Sequence, residues 1–174
     1  MVTLRSFMEN VFLPFVKSHK RANTHKGYAE IWRVHLKILC GDSVLRHVRT
    51  CDVQRWLDTV AASARTKDGV VITKTSLQRV KSFLSGSFAY AISQGFMDGV
   101  NRAESAHIPA GLRDSKETVA YSLEEIVKII LALPEPHSTM VAVAGFTGAR
   151  RGEIRGLEWP GLPRRCNLRF ALHL

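Results

Sequence analysis

Phe146 to Trp159 reads FTGARRGEIRGLEW and sets Arg150, Arg151 and Arg155 among small residues. A guanidinium is a rigid fork of donors that can bind two phosphate oxygens at once. The spacing predicts a helix that restarts after Thr147-Gly148, where glycine permits a tight turn, with Ile154 and Leu157 facing inward. Arg150, Arg151 and Glu153 fall in its first turn, where the helix N-terminus adds positive potential. Glu153 stands three positions after Arg150, on the same face, and can fix its rotamer. Such a group would do electrostatic work, holding a phosphodiester and stabilising negative charge on it. The same spacing also describes a solvated cationic helix with an i, i+3 ion pair.

Other chemistries find little support. The seven His and 15 Asp and Glu form no HExxH or EF-hand spacing, and there is no GxxxxGK[ST] phosphate loop and no GxSxG elbow. No metal and no cofactor is expected. Cys40, Cys51 and Cys166 are scattered without CxxC spacing, which reads as idle thiols in a reducing compartment. No stretch approaches the ~18 uninterrupted apolar residues of a membrane span, and VFLPFV (Val11 to Val16) is too short for a signal peptide. A cytoplasmic protein without a membrane partner is the expectation. The net charge of +10 over 174 residues favours a polyanionic partner, nucleic acid first. Seventeen of the 25 Lys and Arg precede Lys116, against nine of the 15 Asp and Glu, so the basic excess lies mainly in the first two thirds.

The elements that must position these residues read as nearly all α. A first helix is predicted from about Thr3 to Lys17, with Pro14 kinking it or ending it early. SHKRANTHK (Ser18 to Lys26) is a polar, basic connector. The second helix takes Asn23 or Thr24 as cap, repeats Tyr28, Ile31, Trp32, His35, Leu36 and Leu39, and stops at Gly41. In the third, Val53, Trp56, Leu57, Val60 and Ala61 form a core stripe, capped by Thr50 or Asp52. The fourth starts near Thr73 to Thr75, buries Leu77, Val80, Leu84, Phe88 and Ala91, and ends at Gly95. Gly99 to Thr118 is polar and without period, the best linker candidate. Beyond it, Ser122 and Glu125 form a capping box before Ile126, Ile129, Ile130 and Leu133. Ser138 or Thr139 can cap a helix through MVAVAGF. The expected organisation is a basic four-helix domain at 1–105, a linker at 106–118 and a second domain from 119.

TGARRGEIRGLEW resembles the first catalytic-arginine box of the tyrosine recombinases, the phage integrases. Arg150 falls on the catalytic arginine, Glu153 on its supporting acid, and Leu157 and Trp159 on packing positions. YSLEEIVKIILAL resembles the first helix of that family's catalytic domain. THKGYAEIWRVHLKILCGDSVLRHVRTCDVQRWLDTV and TKTSLQRVKSFLSGSFAYAISQGFM resemble the SAM-like core-binding domain that precedes it. The resemblance spans about residues 3 to 159. It implies a SAM-like domain that clamps double-stranded DNA. The implied contacts are Lys74, Thr75, Ser76, Gln78, Arg79, Lys81 and Ser82 on the fourth helix, with Thr24, Lys26 and Arg33 on the second.

The resemblance stops after the arginine box. In the family a β-sheet carrying Lys, a His-x-x-Arg motif, a further His or Trp and a nucleophilic Tyr follow. Here Tyr28, Tyr90 and Tyr121 all precede Arg150, and core or surface packing is the expected role of each. The tail at 160–174 breaks the pattern, so a truncated catalytic domain is expected, through a frame change or interruption near Pro160. Ile126, Ile129, Val141 and Val143 would then lack packing partners. The full family's chemistry is metal-free, with Tyr attacking phosphate and arginines stabilising the charge that develops. This chain is expected to bind DNA without cleaving it. Alternatives are a stand-alone DNA-binding regulator, a dominant-negative partner of intact recombinase protomers, or a pseudogene product without function.

Overall fold

The computed structural model describes residues 1–63, 72–114 and 119–157 and divides into two units, Met1–Lys116 and Glu117–Leu174. All described secondary structure is helical apart from one isolated β-bridge between Thr3 and Val44. The end of the expected linker, Trp159, the tail at 160–174 and Cys166 lie outside the described residues.

In the first unit, α1 spans 4–19 as Leu4–Phe7, a π turn Met8–Phe12, and Leu13–His19. A proline ring clashes with the carbonyl four residues back in a regular α-helix. The wider turn directly before Pro14 accommodates it, so the rod neither ends nor breaks there. The second helix, α2, spans 22–40 as Ala22–Ile31, a π turn Trp32–Leu36, and Lys37–Cys40. It begins earlier than Asn23 or Thr24 would allow as a cap: Arg21 is the extended residue before it, and no side chain caps it.

The ends of α1 and α2 complete each other. The first N–H groups of a helix lack internal acceptors, as the last carbonyls lack donors. The Leu4 and Arg5 N–H groups donate to the Ser43 and Gly41 carbonyls, each at 2.8 Å. Thr3 Oγ1 accepts from the Ser6 N–H. Midway along, Glu9 accepts from Trp32 Nε1 at 3.2 Å and pairs with Lys37 Nζ at 2.8 Å.

A 3-10 turn at Leu45–His47 leads into α3, Thr50–Ser63. Asp52 rather than Thr50 serves its start, accepting from the Arg49 N–H at 3.0 Å. The fourth helix, α4, spans Lys74–Ser93 with Thr73 as cap, and Gly95 ends it at φ 72°. The apolar stripes of α3 and α4 are buried as their spacing requires, except that Ala61 is half-buried; Phe83 and Ile92 widen the α4 stripe as their positions suggest, Ile92 half-buried, and Ser87 joins it. With Phe7, Phe12, Trp32 and Leu36 they form one core.

The described part of the stretch after α4 packs on this core. Met97, Ala103 and Ala106 are buried, and Ile108 and Leu112 pack on the core. Asn101 bonds the Ser85 carbonyl, and Gln54 exchanges two hydrogen bonds with the backbone of His107. The Lys74 N–H donates to the Arg113 carbonyl at 3.0 Å. Residues expected in the linker, as far as Leu112, thus pack on the core of the first unit.

In the second unit, α5 (Leu123–Ala132) carries the Ser122–Glu125 capping box. It packs on α6, His137–Thr147. Neither expected residue caps α6: Pro136 precedes it, Ser138 is buried in its first turn, and the Thr139 hydroxyl donates to Glu135 Oε2 at 2.7 Å. Gly145 admits close packing, since a Cβ there would meet Ile126 Cγ2 at 3.1 Å. Ile126, Ile129, Val141 and Val143 are half-buried and so not without partners, while Leu123, Leu131 and Phe146 are among the exposed apolar positions.

Candidate nucleic-acid interface

On α4 the buried stripe leaves the opposite face to solvent, and Thr75, Gln78, Arg79 and Ser82 lie on it, all exposed. Three other expected contacts are engaged within the unit. Lys74 Nζ lies 3.6 Å from Asp114 Oδ1. Ser76 is half-buried in the cap, its hydroxyl 3.0 Å from Thr73 Oγ1. Lys81 Nζ donates to the Glu104 carbonyl at 3.2 Å. Among the described residues Arg79 makes no ion pair.

On α2, Lys26 is exposed and Thr24 half-buried, while Arg33 is exposed but pairs with Glu30 at 3.1 Å. The two helices meet where the Tyr28 ring stands edge-on to Phe83, centroids 5.2 Å apart. The expected DNA contacts thus belong to one unit, on two helices that touch. Tyr90, too, packs in this unit, against Phe7, Phe12 and Phe15. Sequence reasoning missed Lys17, Lys20 and Arg21 at the α1–α2 corner, all exposed and unpaired among the described residues. The signal was present in the absence of any carboxylate between Glu9 and Glu30.

The second candidate group is Arg150. Gly148 closes α6 in the left-handed conformation at φ 69°, and its N–H donates to the Ala144 carbonyl at 3.0 Å. The short helix α7, Arg151–Arg155, then begins with Arg150 as its extended cap residue. Glu153 accepts from the Arg150 N–H at 2.8 Å and stands 3.5 Å from its guanidinium. The two side chains are thus within ion-pair distance, and that of Arg150 is 88% exposed. An ion pair so exposed is worth about 0–1 kcal/mol, and it leaves the guanidinium open to a phosphate. Leu157 is 55% exposed, so it does not face inward. The remaining described Lys and Arg of this unit are Lys128, Arg151 and Arg155, all exposed. Tyr121, at its start, is 69% exposed.

Among the described residues no cluster of three His, Cys, Asp or Glu could hold a metal, and no helix is long and apolar enough to cross a membrane. Burial pushes the Cys40 thiol up to about 12, so it remains protonated, and Cys51 is exposed. His35 is held below its ordinary value by burial, opposed by Glu30. Bonds from Ser138 and Thr139 lower Glu135.

No family model matches the chain, and no curated protein does. Among solved structures, the phage integrase SAM-like domain from Moth 1796 of Moorella thermoacetica, determined by solution NMR, is similar. The TM-score is 0.51 at 19% identity, over 67% of this chain and 92% of that one. The chain is mainly helical and carries the fold of a phage integrase SAM-like domain.

Proposed function

We propose that this chain binds double-stranded DNA through the exposed face of α4 and the start of α2, as the DNA-binding part of a site-specific recombinase of the phage integrase kind. It does so without cleaving DNA. The observation that carries this reading is the outward face of α4, where Gln78, Arg79 and Ser82 stand exposed on an integrase-type SAM-like fold. Phosphate contacts supply most of the affinity and little sequence information. Arg150, paired with Glu153, adds one phosphate contact from the second unit. Tyr28 and Tyr90 are ring-packed within the helical unit rather than free to act as nucleophiles, and no covalent adduct is expected from either.

A mobility-shift series on duplex DNA tests this. With about five phosphates neutralised, log K falls with log salt at a slope near −4 to −5. Arg79→Gln reduces that slope by about 0.9, and Lys81→Gln by less because Lys81 is already bonded to Glu104. A flat salt dependence refutes the clamp, and a protein–DNA adduct resistant to denaturant refutes the absence of cleavage. The exposed Leu123, Leu131 and Phe146 favour one second reading, a partner that joins intact recombinase protomers. Mixed complexes on DNA with a full-length integrase would support it.

A further inference from the structure

The corner joining α1 to α2 carries a ring ladder and cations that, Lys26 apart, are not among the duplex contacts assigned above. Lys17, Lys20, Arg21 and Lys26 fall within ten residues with no carboxylate among them, and all four are exposed. Three stacked rings lead up to them. Phe15 lies on Tyr90 with centroids 4.1 Å apart and planes 18° apart. His19 lies on Phe15 at 4.5 Å and 26°.

The lower end of this ladder is anchored, because Tyr90 also meets Phe7 and Phe12 in the core. The upper end is His19, the last residue of α1, which is exposed. Its Nδ1 lies 3.1 Å from the Phe15 carbonyl and 2.8 Å from Ser18 Oγ, so the helix end fixes the ring plane. Phe15 is the one ring stacked on His19 among the described residues, and it covers a single face. An i, i+4 ring pair helps to hold a helix together. That role alone does not account for a third ring below, a fixed open face above, and cations immediately after it.

We infer that the corner is a stacking site for an unpaired nucleobase. The base lies on the outer face of His19, and Lys20 and Arg21, the next two residues, hold the flanking phosphates. Sequence-tolerant binding of single strands combines these two parts, a ring on which a base stacks and cations that follow the backbone. A duplex keeps its base faces within its own stack. The ligand class is therefore a single strand or a frayed end, different from the duplex assigned to α4.

The test uses the full chain and three labelled probes: oligo-dT, an abasic strand of equal length, and a duplex. The chain is expected to bind oligo-dT more tightly than the abasic strand. His19→Ala weakens oligo-dT binding by about tenfold and leaves duplex binding within about twofold, whereas His19→Phe, which keeps a stacking ring, retains both. Equal affinity for oligo-dT and the abasic strand overturns the inference. So does an unchanged oligo-dT affinity in His19→Ala, or an equal loss on oligo-dT and duplex. The α4 reading fails separately: it is lost if the chain binds oligo-dT but shows no salt-dependent duplex binding.

Discussion

Replacing Asn101 tests whether the segment after α4 belongs to the helical unit. Asn101 is 8% exposed and makes four contacts. Its Nδ2 lies 3.0 Å from the Ser85 carbonyl, 3.0 Å from Ser85 Oγ and 3.2 Å from Glu104 Oε1. Its Oδ1 accepts from the buried Ala103 N–H at 3.1 Å. Asn101→Ala removes donated bonds worth about 1 kcal/mol net each and strands the Ala103 N–H at about 1–3 kcal/mol. The expected loss is about 2–4 kcal/mol, a large share of an ordinary domain's stability. Hydrogen exchange gives the local readout: the amides of His107 and Lys74, bonded to Gln54 Oε1 and the Arg113 carbonyl, lose protection first. Asn101→Asp sharpens the test. It keeps the acceptor for Ala103 but puts a carboxylate against the Ser85 carbonyl and Glu104, so it costs at least as much at neutral pH. Burial and the neighbouring acid raise the folded-state pKa of the new carboxyl, so its cost shrinks as pH falls and protonation restores a donor. A loss below about 0.5 kcal/mol for Asn101→Ala, the size of an ordinary surface change, refutes the reasoning. The loosened segment also releases Lys81 and Lys74, so duplex affinity should hold or rise where the variant stays folded.

Two further outcomes follow from local geometry. The bonds from Lys37 and Trp32 hold the Glu9 carboxyl below its ordinary range. A lowered folded-state pKa gives stability that is present above the unfolded value and lost as pH falls through the folded one. Glu9→Gln should therefore cost up to about 1 kcal/mol at pH 7, since the pair is part-exposed, and nothing once the wild-type carboxyl is protonated. Thermal melts at neutral and acid pH check it, and an undiminished gap in acid would contradict the assignment. For Gly148, at φ 69°, nothing lies within 4 Å of an added Cβ, so Gly148→Ala carries only the left-handed backbone cost of about 1–2 kcal/mol. Faster exchange of the Gly148 amide reads it, and unchanged exchange counts against that turn.

What the sequence disclosed and what it hid have one physical source. Leu77, Val80, Leu84, Phe88 and Ala91 repeat at helical spacing, so burying them defines both the inner face of α4 and the outer one that carries Gln78, Arg79 and Ser82. Gly95, Gly148 and the Ser122–Glu125 box were equally legible, because each satisfies a need of its own few residues. The segment at 99–114 was not. It docks through two alanines, an asparagine amide and backbone groups met by Gln54, none of which imposes a period. That omission reaches the candidate site, since Lys74 and Lys81 look equivalent to Arg79 in the sequence. Only the docked segment, through Asp114 and the Glu104 carbonyl, separates them. Arg150 shows the converse. Its brace was readable from an i, i+3 spacing, but the exposure of its guanidinium depends on what surrounds α7. A local rule can predict that Glu153 orients Arg150. It cannot say how much of the phosphate-binding energy survives solvent screening, and that quantity separates a weak surface contact from a catalytic one.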